Sequence, residues 1–150
     1  MTELPSGPEL ELYDHQDRID VPMEYLRSCA ETALPLCLQE KGPEHCHLPE
    51  LPVVEINFVD DEEIARVHQD FMDLPDATDV ITFGHGEIVI STETARDYAQ
   101  KYGNSTGREL ALYIIHGLLH LNGHEDSTEK GAADMKRIQE RILVSVTQGN

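Results

Sequence analysis

The sequence predicts an α+β fold, on three observations. Short β-branched runs alternate with segments of helical periodicity, the helical segments start on capping residues, and one of them is apolar on every side. Four strand-like runs and about five helical segments fit within 150 residues. That length suits one domain burying about 68–70% of its unfolded surface. The expectation is therefore a single domain over residues 1–150, with residues 1–8 a flexible Pro/Gly/Glu-rich tail.

Taken in order, ELELYDHQ alternates at Leu10, Leu12 and Tyr13 just well enough for a strand. Asp20 followed by Pro22 starts a helix with Leu26, Ala30, Ala33 and Cys37 on one face. Pro35 should kink or end that helix early. Residues 42–52 read as a loop from their Gly, Pro and His content. The clearest strand is VVEINFV, residues 53–59. Asp60 with Glu63 then forms a capping box for a helix through Phe71, with Ile64, Val67 and Phe71 facing inward. Residues 79–83 and 87–90 are two adjacent strands about Gly84-His85-Gly86. Ser91 caps a helix through Lys101 that Gly103 stops. The last helix covers about residues 127–146, with Met135, Ile138, Ile142 and Val146 at spacings of three and four.

The chemistry concentrates in residues 108–126, RELALYIIHGLLHLNGHED. Most of this stretch is apolar all round, as in a core helix, yet it carries His116 and His120 four residues apart. Four-residue spacing puts both imidazoles on one face with Cβ atoms about 5–6 Å apart, which suits two ligands to one cation. Gly123 can end the helix and turn the chain. The spacing H-x3-H-x2-G-x2-D matches the extended zincin arrangement and makes Asp126 the third ligand rather than His124. Three protein ligands leave a fourth position for water, the catalytic form of a zinc site. Asp126 also has a competing role, a capping box with Glu129. His124 is expected on the pocket wall or as a proton donor. Glu109, seven residues before His116 on the same face, could orient a histidine from behind or be an ordinary pocket-edge carboxylate. His85 could reach the metal, but a loop histidine is more often exposed. In zinc peptidases the residue after the first histidine is a glutamate general base; here it is Gly117.

HGLLHLNGHED, with ATDVITFGHGEIVIS upstream, resembles the YbeY family of metal-dependent endoribonucleases. The family pattern H-G-x-L-H-L-x-G-x-D-H falls on His116, Gly117, Leu119, His120, Leu121 and Gly123; its third histidine falls on Asp126 and the aspartate before it on Glu125. The pattern T-D-V-L-S-F is matched at Thr78, Asp79, Val80 and Phe83, with Ile81 and Thr82 conservatively different, and G-D-I corresponds to Gly86, Glu87 and Ile88. An arginine usual in the family falls on Met72. The resemblance covers residues 50–146 well and implies a mixed four-stranded sheet with a metal cleft at the end of the buried central helix. It also implies one Zn²⁺ per chain on His116, His120 and Asp126, phosphodiester cleavage in RNA, ribosomal RNA as the substrate, and ribosomal subunits or ribosome-associated proteins as partners, with no DNA. Two other readings remain: a zinc-dependent peptidase-like hydrolase, and a non-catalytic zinc-stabilised ribosome-associated module.

Composition bounds the rest. No signal segment follows Met1 and no apolar run approaches the roughly eighteen residues of a membrane span, so a cytoplasmic protein with no membrane partner is expected. Cys29, Cys37 and Cys46 are an odd number, which argues against a secreted disulfide framework. The triplet His45-Cys46-His47 reads as an ordinary loop, because adjacent residues seldom converge on one ion. A formal charge of −18, from 29 acidic and 11 basic residues, is unusual for an RNA-binding protein. The candidate basic strip is Lys130, Lys136, Arg137 and Arg141, with Arg96 and Arg108, although these residues also balance Glu129, Asp134 and Glu140 on a solvated helix face.

Overall fold

Alternation along Val53–Val59 turns Val54, Ile56 and Phe58 to one side of a sheet, where all three are fully buried, and Glu55, Asn57 and Val59 to the other. In the computed structural model, which describes residues 7–74 and 78–147, this strand is β2. It lies parallel to β1 (Glu9–Asp14) on one side and to β4 (Glu87–Ser91) on the other, with Ile56 opposite both Leu12 and Ile88. The edge strand β3 (Val80–Phe83) runs antiparallel to β4, and the order is β1-β2-β4-β3. The four-stranded sheet is thus mixed, as expected. Of the tail expected over residues 1–8, residues 1–6 lie outside the described part of the chain.

Five α-helices follow the sequence pattern: α1 (Met23–Leu38), α2 (Asp61–Met72), α3 (Thr92–Tyr102), α4 (Thr106–Leu121) and α5 (Glu129–Thr147), with a 3₁₀ turn at Leu48–Glu50. Leu26 and Ala30 of α1, Ile114 and Leu118 of α4, and Ile138 and Ile142 of α5 pack with Ile56, Phe58, Ile88 and Ile90 in the main core. Each fully buried aliphatic side chain of this kind contributes about 1.5–3 kcal/mol. A smaller cluster, Val59, Ile64, Ile81 and Val89, sits under α2 on the opposite face. Among the described residues no helix is long and apolar enough to cross a membrane. The three cysteines are free.

The caps are where the chain places them. Asp60 Oδ1 accepts from Glu63 N at 2.8 Å, Ser91 Oγ from Thr94 N at 3.1 Å, and Ser105 Oγ from Arg108 N at 3.1 Å. Gly103 ends α3 in the left-handed conformation at φ 72°. The β3–β4 turn needs Gly86 twice over: its φ is 106°, and a Cβ there would lie 2.7 Å from the Val53 carbonyl oxygen.

Two local expectations are corrected, and the competing role of Asp126 as a cap is set aside. Pro35 does not end α1, which runs on to Leu38. An interior proline costs about 3 kcal/mol, but Pro35 is exposed in the last turn, and burial of Leu34 before it and Cys37 after it offsets the lost hydrogen bond. Phe71 is not inward-facing: it is 69% exposed at the end of α2, with its ring in a T-shaped contact with Phe83 at 5.2 Å between centroids. Asp126 does not cap α5. Thr128 Oγ1 accepts from Gly131 N at 3.0 Å, and the Glu125 carboxylate accepts from the Ser127 and Thr128 amides and hydroxyls at 2.6–3.1 Å. With the turn satisfied by its neighbours, the Asp126 carboxylate is left for another partner.

Candidate metal centre

The site begins with the seat of α4 on the sheet. Gly117 is buried against β4 so closely that a Cβ would stand 2.7–3.0 Å from three carbons of Ile88. The position that carries a general base in zinc peptidases therefore faces the core, with no room for any side chain. His116, the residue before Gly117, and His120, three residues after it, emerge from the core on the wall of a cavity of about 480 Å³, between α4, β3 and the end of α2. Gly123, at φ 94°, reverses the chain after the helix, with Gly123 N bonded to His120 O at 3.1 Å and His124 N to Leu119 O at 3.0 Å. The reversal brings Asp126 back over the two imidazoles.

His116 Nε2 and His120 Nε2 are 3.1 Å apart, and Asp126 Oδ2 lies 3.5 Å and 3.6 Å from them. A tetrahedral zinc ion with bonds of about 2.0–2.1 Å requires ligand atoms about 3.3 Å apart. The three atoms thus sit nearly at the corners that one such ion needs. The other ring nitrogens fix the tautomers. His116 Nδ1 is 2.8 Å from Gln139 Oε1, and His120 Nδ1 is 3.0 Å from the His124 carbonyl oxygen. Both oxygens can only accept, so each Nδ1 carries the proton and each Nε2 presents its lone pair to the centre. Burial, followed by the neighbouring His116, pushes the His120 pKa below its ordinary value, with Asp126 pulling the other way. His120 is therefore neutral, and able to act as a ligand, at neutral pH.

The remaining expected site residues separate. His124 contributes its backbone to the centre, but its ring points away: Nε2–H donates to the Glu40 carbonyl at 2.8 Å, and the ring lines a different cavity. Glu109 is half-buried one turn below Tyr113, with which it shares a hydrogen bond, and burial raises its pKa. It does not line the metal cavity among the described residues. His85 is exposed, stacked on Phe83 and paired with Glu87 at 3.2 Å. Gln139 was not singled out from sequence; its only signal is that it lies one residue past Ile138 on the core-facing edge of α5.

Electrostatically the cavity is unusual. Its walls carry His47, His68, Thr78, Asp79 and Met72 besides the metal-facing groups, and no Lys or Arg among the described residues. Most of the basic strip expected on α5 is committed elsewhere: Lys130 and Arg137 to Asp134, and Arg141 to Glu40. A larger cavity of about 580 Å³ on the other face of the sheet is lined by Glu55, Asp60, Glu62, Glu63 and Glu87 with His15 and Arg66, a surface that repels phosphate.

Comparison with known proteins gives this geometry a family. The model of the family described as Endoribonuclease YbeY matches residues 11–147. The chain belongs to the YbeY family. It is 33% identical over 142 residues to the Endoribonuclease YbeY of Carboxydothermus hydrogenoformans, covering 89% of this chain and 94% of that one. A second relative of that name, from Moorella thermoacetica, is 36% identical over 112 residues, covering 62% and 72%. The fold matches the solution structure of a Thermotoga maritima protein with a TM-score of 0.63 at 23% identity, over 91% of this chain and 88% of that one. Several of the positions that differ from the YbeY pattern given above line the cavity. Asp126 stands in the place of a third histidine, and Met72, in the place of the arginine, lines the cavity wall.

Proposed function

We propose that this chain is a zinc-dependent endoribonuclease. The observation that carries the reading is the triangle of His116 Nε2, His120 Nε2 and Asp126 Oδ2, opening on a cavity in a chain of the YbeY family. His116, His120 and Asp126 would hold the ion; when bound, it supplies Lewis-acid polarisation of a phosphoryl oxygen and of an attacking water or ribose 2′-hydroxyl. Gln139 and the His124 carbonyl hold the two imidazoles in the donating tautomer, and Gly123 fixes where Asp126 returns. Asp79, whose Oδ1 accepts from Val80 N at 2.7 Å, lines the same cavity at the start of β3. We take the substrate to be single-stranded or structured RNA, ribosomal RNA in particular, acted on in the cytoplasm with a ribosomal subunit as partner; the family resemblance supports these finer points.

The rival readings find less support. A peptidase lacks its base at Gly117, which has no room for one. A closed structural zinc site would use His124 as fourth ligand, and that ring is engaged by Glu40. The deciding experiment assays structured-RNA and casein cleavage by wild type, chelator-treated protein and Asp126→Ala. RNA cleavage that disappears with chelation and with Asp126→Ala, and no casein cleavage, is expected. Retention of RNA cleavage in either treated sample, or metal-dependent casein cleavage, would overturn the proposal.

A further inference from the structure

His45, Cys46 and His47 do not converge as a triplet, but the chain through them alternates. Cys46 Sγ turns inward to the Asn122 carbonyl oxygen at 3.1 Å, so His45 and His47 emerge together on the other side, with ring centroids 4.4 Å apart. The 3₁₀ turn at Leu48–Glu50, with Glu50 N bonded to His47 O at 2.9 Å, then swings Glu50 back. Its carboxylate lies 3.1 Å from His45 Nε2, and one ligand atom from each of His45, His47 and Glu50 lies within 4.8 Å of the others. We infer that His45, His47 and Glu50 form a second divalent-metal site, of which His47 lines the cavity of the first.

Two further observations support it. The loop is held at several points: Gly42 N donates to Asn122 O at 3.0 Å, Glu44 N to Gly123 O at 2.9 Å, and Asn122 Nδ2 to the carbonyls of Cys37 and Glu40 at 2.9 and 3.0 Å. There is no space between the two segments, since a Cβ on Gly42 would collide with the Gly123 backbone. The second cluster is therefore fastened to the same glycine turn that positions Asp126. His47, moreover, lines the cavity into which His116, His120 and Asp126 project, and no Lys or Arg lines that cavity among the described residues. Two imidazoles and one carboxylate select a borderline first-row ion such as Zn²⁺ or Co²⁺ over Mg²⁺ or Ca²⁺, and leave a coordination position open. An ion there supplies positive charge on which a phosphate oxygen can be held, beside a cavity that no Lys or Arg lines among the described residues. This role rests on the ribonuclease reading; the site itself does not.

The test is a calorimetric titration of metal-free protein with Zn²⁺, repeated with Co²⁺ to read the ligand-field spectrum. Wild type should bind two ions, Asp126→Ala one, and the His45→Ala/Glu50→Gln double variant one, each keeping a different half of the spectrum. His45 and Glu50 side chains are 61% and 63% exposed, so their replacement leaves the fold intact. One ion in wild type, or two in the double variant, overturns the site. For the role, Glu50→Gln should raise KM for RNA roughly tenfold at unchanged kcat, the size of one charge-assisted contact. An unmoved KM with the second ion lost overturns the phosphate role. A wild type that cuts no RNA defeats the nuclease reading, while the ion count still tests the site.

Discussion

His116 and Gln139 meet across the α4–α5 interface, with Nδ1 and Oε1 2.8 Å apart although the residues are 23 positions apart in sequence. The contact sets which face of the imidazole is available to a metal, so α5 contributes to the centre without supplying a ligand. Replacing Gln139 by leucine should keep the helix packed but weaken zinc binding at this centre by about 10–100-fold, the usual effect of losing such a partner. Competition against a chromophoric chelator measures it, and Gln139→Glu should restore most of the affinity.

Asp126 makes the centre less positive than three histidines would. Asp126→His should keep the ion and speed RNA cleavage, because a neutral ligand leaves more charge on the metal to polarise the phosphate. Single-turnover rates at saturating zinc test this; a rate equal to or below wild type counts against it.

Gly117 is set by packing. Gly117→Ala adds one methyl against Ile88 and should destabilise the fold by about 1–3 kcal/mol, as overpacking does in a close-packed core. Urea unfolding of the metal-free protein checks the magnitude. A paired Ile88→Val should recover part of the loss, since it removes one of the three carbons in the way.

Two groups give the metal-free protein opposite charge histories and the same direction of pH dependence. His120 has a pKa below 6.5 in the fold, so between that value and 6.5 the unfolded chain binds more protons, and stability falls as pH drops through this window. Glu125 is held down to about 2 by the Ser127 and Thr128 hydrogen bonds, against an ordinary 4.5, so its contribution is complete above 4.5 and is lost between 4.5 and 2. His120→Gln should flatten the upper window and Glu125→Gln the lower one in melting temperature measured against pH.

What could be read from the chain was local. The i, i+4 pair of His116 and His120 shares a face by helix geometry alone, Gly123 marks the turn because few other residues adopt its φ, and Asp60, Ser91 and Gly103 bound their helices through contacts within four or five residues. The same locality explains the β2 core face. The misses all depend on partners distant in sequence. Phe71 has the spacing of a buried residue, but the packing of α2 leaves it exposed. Pro35 has the signature of a stop, but burial around it carries the helix on.

The sequence by itself determined the α+β class, the histidine pair and the candidacy of Asp126, because backbone periodicity and steric limits act over one or two turns. Only the tertiary structure decided that Glu125 and Thr128 take the cap and leave Asp126 free, that the His124 ring is spent on Glu40, and that Gln139 orients His116. Each of these is a choice among equally good local partners. Such a choice is made by which segments the core brings within hydrogen-bond reach, a property of the packed chain and not of any stretch of it.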